Sequence, residues 1–187
     1  MSKWIKIAIV FIFVSVSLWR CGTETDYDVP GQDSIFRTFL RDIEAEYVPA
    51  LAAQYGIYKV DHHKSGSGIT TQRGDTVSIS YSGFTFDRAN RRGFGLGSIF
   101  TTNIETDALS AGWQPNELLP VTPVSYVSGN GEILRGLDLG IENSAAGDSL
   151  RLYLTSDFAY GGNSIGYLAP GTPVVFKVYV NEIKKRR

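Results

Sequence analysis

Few residues of this chain have the type and spacing that proton transfer, metal binding or phosphate chemistry requires. His62 and His63 are adjacent, so on an extended strand their rings leave opposite faces and cannot share a metal ion. They read as solvated surface residues. The single cysteine, Cys21, excludes an intramolecular disulfide and a cysteine-based zinc site. Asp87, Glu105, Asp107 and Glu132 are scattered, and nothing pairs them as general acid and base. Gly93, Gly95 and Gly97 form a glycine-rich loop, but no Lys-Ser/Thr follows as a phosphate loop needs, so a turn is the better reading. No metal and no cofactor is expected. Function must rest on shape, apolar contact, a few hydroxyls and backbone donors.

The composition sets the frame for such a site. The chain has 187 residues, 43% hydrophobic and 20% charged, which suits one globular domain with an appendage, or two small ones. A formal net charge of −1 gives no attraction to nucleic acid, and none is expected as a partner. Twenty glycines and 12% aromatics favour a β-rich domain with tight turns.

The N-terminus differs from the rest. Lys3 and Lys6 precede an apolar or Ser stretch over 7–18. At helical rise this stretch spans only about 18 Å, too short for a comfortable membrane crossing, and it has the form of a secretory signal. Leu18-Trp19-Arg20-Cys21-Gly22 resembles a bacterial lipoprotein box, with Arg20 where a small residue is usual. The resemblance implies lipidation of Cys21 after removal of residues 1–20. An uncleaved signal anchor, or a secreted protein with a chance cysteine, is the alternative. Residues 21–32 read as a flexible tether. A helix is expected over 33–55, capped by Asp33 or Ser34, with Ile35, Phe36, Phe39, Leu40, Ile43 and Tyr47 on one face, a kink or restart at Pro49 and an end at Gly56. That face should pack on the following domain, with a dimer contact as the alternative.

From residue 56 the period changes to two. Val77, Ile79 and Tyr81 alternate with Ser78, Ser80 and Ser82. Leu150, Leu152 and Leu154 alternate with Arg151 and Tyr153, and Phe176, Val178 and Val180 with Val175, Lys177 and Tyr179. Between these strands Ile133, Leu137 and Ile141 share one helical face over 132–141. The expected architecture is α+β, a twisted antiparallel sheet with a short helix laid across it.

Five segments then carry a family resemblance. Gly74-Asp75-Thr76-Val77 leads to Tyr81-Ser82-Gly83, and Gly97-Ser98-Ile99-Phe100 follows. Next come Gly129-Asn130-Gly131-Glu132-Ile133-Leu134-Arg135-Gly136-Leu137, then Ala146-Gly147-Asp148 through Thr155-Ser156-Asp157-Phe158-Ala159-Tyr160-Gly161. Leu168-Ala169-Pro170 through Val174-Val175-Phe176 completes the set. In this order and spacing they resemble an FKBP-type peptidyl-prolyl cis-trans isomerase domain over 56–187. With the lipoprotein box and the N-terminal helix, the whole chain is similar to FKBP-type lipoproteins of Bacteroidota-like bacteria, a gliding-motility-associated type among them.

The resemblance implies a five- or six-stranded antiparallel sheet half-wrapped around the short helix, with a pocket between them. Tyr81, Phe100, Tyr160 and Phe176 would be the catalytic wall. Thr101, Ile133, Leu134, Leu137 and Leu168 would bind substrate, the Leu134 N–H and the Tyr160 hydroxyl each holding a carbonyl. Thr101 stands where the family usually has Asp, with Tyr81 as its neighbour, and Leu137 where it often has Trp. The 102–122 loop, with Trp113, is longer than in minimal members and can reshape the rim. The implied activity is isomerisation of X–Pro bonds in proline-containing polypeptides. It would serve exported proteins at the cell envelope, on a lipid anchor at the periplasmic side of the outer membrane. Macrolide binding is expected to be weak. A weakly catalytic prolyl-binding module and a structural lipoprotein of an envelope complex are the alternatives.

Overall fold

The computed structural model describes residues 28–43, 48–49, 56–115 and 121–187. Cys21, the 7–18 stretch and Tyr47 lie outside the described residues.

Helix α1 spans Val29–Ile43. It begins earlier than the sequence suggests, inside the expected tether. Asp28 is its cap: the carboxylate accepts the Gly31 N–H at 3.0 Å. Pro30 falls in the first turn, where a missing N–H costs nothing. Asp33, one of the expected caps, has another task. Its buried carboxylate accepts the Tyr58 hydroxyl at 2.5 Å and pairs with Arg37 at 2.8 Å. At Pro49, where a kink or restart of the helix is expected, the chain is extended instead, and residues 44–47 and 50–55 lie outside the described residues. Val48–Pro49 forms a two-residue strand β1 against Lys59 and Tyr58. As an edge strand it tolerates a proline, because one of its sides needs no donor.

The remaining strands are β2 (Ile57–His63), β3 (Thr76–Phe86), β4 (Leu96–Thr102), β5 (Val124–Val127), β6 (Ser149–Leu154) and β7 (Val174–Lys184). They form one antiparallel sheet in the order β1-β2-β6-β7-β3-β4, with β5 also paired to β3. That makes seven strands, more than expected because β1 joins from the N-terminal segment.

The sheet is covered on both faces. On one, Val77, Ile79, Leu150, Leu152, Leu154, Val174, Phe176 and Val178 pack with Leu137 and Ile141 of helix α3 (Arg135–Ile141). Two glycines let α3 approach β6 closely. A Cβ on Gly136 would stand 2.4 Å from the Phe158 carbonyl, and one on Gly140 would stand 2.6 Å from Leu152. The helix starts three residues later than expected, because Glu132 is used outside it: its carboxylate accepts the Val127 N–H at 2.9 Å. On the other face Phe36, Phe39 and Leu40 of α1 pack on Tyr58, Val60, Tyr153 and Val175. Phe36 meets Phe86 edge-on at 4.8 Å and Tyr153 at 5.7 Å. Ile35, expected on this face, is 38% exposed.

Phe36 is fully buried. Phe36→Ala should cost about 3–5 kcal/mol of folding free energy. Denaturant unfolding of the variant checks this, and a loss below 1 kcal/mol would mean that α1 contributes little to the fold.

Candidate active site

Helix α3 and the inner sheet face bring the sequence-predicted residues together. Phe176 (0% exposed), Leu168 (1%) and Leu137 (4%) form a buried floor. Tyr81, Phe100, Ile133, Leu134 and Tyr160 are partly buried against the same cluster. The rings form a continuous edge-to-face chain. Tyr81 meets Phe176 at 5.9 Å, Phe176 meets Phe100 at 5.8 Å, and Phe100 meets Tyr160 at 5.7 Å.

Two features aim this wall, and neither is legible as periodicity. On the β3–β4 pair Gly83 opposes Thr101 and Phe84 opposes Ile99, so Phe100 is an extra residue in a β-bulge. The bulge breaks the alternation of the strand, which lets Phe100 and Thr101 both face the cluster. Gly83 leaves the room they need. A Cβ there would lie 2.7 Å from Phe176, 2.7 Å from the Thr101 methyl and 2.8 Å from Phe100. The Tyr81-Ser82-Gly83 motif contains this glycine, but only the structure gives its role.

The polar groups at the wall are sparse. Burial, with a smaller contribution from Tyr81, pushes the Tyr160 hydroxyl up to about 12, so it stays a proton donor. Among the described residues no hydrogen bond engages the hydroxyls of Tyr81, Tyr160 or Thr101, or the Leu134 N–H. The Leu134 carbonyl is taken by the N–H groups of Leu137 and Asp138, which fixes the peptide just before α3. Tyr167, on the segment that carries Leu168, donates its hydroxyl to the Ile99 carbonyl and so joins that segment to β4.

The described part of the insertion after β4 includes a short helix. This helix, α2 (Glu105–Ser110), sits behind the wall, where Asp107 accepts the Ser82 hydroxyl at 2.5 Å and the Lys177 ammonium at 3.1 Å. Ser82 and Lys177 alternate with the inward Gly83 and Phe176, so these contacts belong to the opposite sheet face. Residues 116–120 of the loop lie outside the described residues. His62 and His63 are exposed, and His62 stands edge-on to Phe94 at 5.7 Å, away from the site. Among the described residues no group of three His, Cys, Asp or Glu side chains is placed to hold a metal ion.

Gly83→Ala should force the Phe100 and Phe176 rings aside at a cost of about 1–3 kcal/mol. Unchanged stability together with unchanged aromatic side-chain NMR signals would show that β3 accommodates the methyl elsewhere.

Comparison with known proteins bears on this arrangement. The family model for FKBP-type peptidyl-prolyl cis-trans isomerase matches residues 68–181, more than half the chain. The chain is 26% identical over 125 residues to FK506-binding protein 4 of Neurospora crassa, covering 67% of this chain but 22% of that protein. It thus spans about a fifth of that relative. It is 29% identical over 113 residues to an FK506-binding protein of Streptomyces anulatus, covering 59% and 73% of the two chains. FK506-binding protein 1 of Aspergillus oryzae is 27% identical over 120 residues and is covered to 90% of its length. In fold, the chain is similar to a peptidyl-prolyl cis-trans isomerase of Pseudomonas syringae pv. tomato, with a TM-score of 0.56 at 20% identity over 86% of this chain and 98% of that one. The aromatic wall around α3 and the matched span lead to one assignment: the chain belongs to the FKBP-type peptidyl-prolyl cis-trans isomerase family.

Proposed function

We infer that the protein catalyses cis-trans isomerisation of X–Pro bonds in exported polypeptides at the cell envelope. The observation that carries the reading is the edge-to-face chain from Tyr81 to Tyr160 over a floor of Phe176, Leu137 and Leu168. An X–Pro bond turns slowly because rotation abolishes amide resonance, with a barrier of about 18–20 kcal/mol. Rotation needs no nucleophile and no proton acceptor. The twisted amide is less dipolar than the planar one, so a water-poor apolar surface disfavours it less than it disfavours the ground state. Phe176, Phe100, Leu137 and Leu168 supply that surface for the proline ring. The Tyr160 hydroxyl and the Leu134 N–H each hold a substrate carbonyl, which fixes the chain on either side of the turning bond.

The envelope location rests on the sequence alone: the basic start, the apolar stretch over 7–18 and Cys21 in a lipoprotein-like box. Because α1 begins at Val29, only residues 22–28 would link a lipidated Cys21 to the folded domain. Seven extended residues reach at most about 25 Å. The site would therefore work close to the membrane surface, on the periplasmic side of the outer membrane.

Phe176→Ala should remove most of the activity in a protease-coupled X–Pro peptide assay, once the folded fraction is measured. Tyr160→Phe should lower it less, since one neutral hydrogen bond contributes about 0.5–1.5 kcal/mol net. Full turnover by folded Phe176→Ala would place the site elsewhere.

Cys21→Ala should move the protein from the membrane fraction to the soluble periplasm, or leave an uncleaved precursor. A wild-type protein that takes up no labelled fatty acid would end the lipoprotein reading.

Thr101 offers a neutral acceptor where a carboxylate would give a bond roughly twice as strong. Thr101→Asp should tighten binding of a macrolide of the FKBP-ligand type by about 1 kcal/mol and change peptide turnover comparatively little. Calorimetry beside the peptide assay tests it. A gain in turnover without a gain in binding would contradict the placement of Thr101 at the ligand.

A further inference from the structure

Helix α1 lies outside the span matched by the family model, yet it reaches the segments that frame the site. Gln32, in its first turns, places both ends of its side-chain amide on backbone far away in sequence. The oxygen accepts the Ser156 N–H at 2.8 Å, and the nitrogen donates to the Gly171 carbonyl at 3.0 Å. Only one orientation of the amide satisfies both partners, since an N–H cannot accept and a carbonyl cannot donate. Ser156 and Gly171 bracket the stretch that carries Tyr160 and Leu168. Inside the bracket the Gly161 N–H donates to the Ser156 carbonyl at 2.8 Å, and the Gly171 N–H donates to the Gly161 carbonyl at 2.8 Å. Gln32, Ser156, Gly161 and Gly171 thus form a closed ring of hydrogen bonds in which Gln32 is the one member from α1.

The strut itself is firmly seated. The next residue, Asp33, is buried and holds the Tyr58 hydroxyl, and Phe36 and Leu40 are fully buried on the outer sheet face. The loops it holds are the kind of segment that opens most readily, being outside the sheet ladder.

We propose that Gln32 is a positioning residue. It keeps the Tyr160 and Leu168 walls in the ligand-competent arrangement and so sets the affinity of the site for prolyl segments. This rests on the prolyl-binding reading of the site above. Apparent affinity falls in proportion to the fraction of molecules in the competent state. Loss of the clamp lowers that fraction, so it raises KM. It leaves kcat nearly unchanged, because a complex that has formed has already assembled its walls.

The test uses the full chain and an X–Pro peptide, with amide hydrogen exchange read beside the kinetics. Gln32→Ala should raise KM at least about threefold with kcat within about twofold. It should speed exchange of the Ser156 amide on the order of tenfold. Gln32→Glu keeps the acceptor and loses the donor, and should fall between the two. Leu40→Ala, further along the same helix, should lower the melting temperature and leave KM in place. Unchanged KM or unchanged Ser156 exchange in Gln32→Ala would overturn the proposal. So would an equal rise of KM in Leu40→Ala, which would reduce Gln32 to one more contact docking the helix. A wild-type protein that turns over no peptide would instead defeat the isomerase reading. The clamp would then be judged from the Kd of the same peptide, with the same expected ratio between variants.

Discussion

Strand β7 cannot bury Phe176 without sending Val175 to the other side of the sheet. Successive side chains of a strand leave opposite faces, and β7 is a central strand, paired to β6 and β3. Both residues are fully buried. One alternation therefore demands two covering elements. Phe176, Val178 and Leu152 require α3 on one face. Val175, Tyr153 and Tyr58 require α1 on the other. The aromatic wall and the seat of the N-terminal helix are the front and back of the same strands, and their stabilities are coupled through them.

This double burial explains which parts of the chain were legible from sequence. Alternating Leu150-Leu152-Leu154 and Phe176-Val178-Val180 mark strands whatever surrounds them, and the helical face of Leu137 and Ile141 follows from spacing alone. The wall residues were legible because the five motifs around them are residue-specific. The N-terminal boundary was less so. Asp33 and Ser34 are the caps the sequence suggests, and only the structure shows that Asp28 caps the helix and that Asp33 is a buried partner of the Tyr58 hydroxyl. The bulge at Phe100 leaves no trace in apolar periodicity, since it is defined by what stands across on β3. Gln32 and Ser156 are 124 positions apart, and nothing in either residue's neighbours announces their bond.

The back of the wall carries its own charge network. Asp107 joins Ser82 and Lys177, the outward neighbours of Gly83 and Phe176. Lys177 also stands 5.7 Å from the centre of the Phe84 ring. The ion pair is partly exposed and of small energetic worth alone. It nevertheless ties β3 to β7 through α2 on the outer side of the sheet.

On the proposed reading, the chemistry at the inner face asks for an apolar, water-poor surface. A planar X–Pro amide is strongly dipolar, and bulk water solvates it and so opposes rotation. The inner face offers rings, aliphatic groups and neutral donors instead. Tyr160 reports this environment. The desolvation that raises its hydroxyl to about 12 penalises a phenolate, and on the proposed reading it would penalise the polar ground state of a bound amide for the same reason. Since a raised acid stays protonated at every pH below its pKa, the hydroxyl donates throughout the physiological range. As the proposed isomerase site, the wall would need no titrating residue. On that reading its dependence would be on geometry, on whether the rings, the bulge and the segments carrying Tyr160 and Leu168 stand in place when a proline arrives.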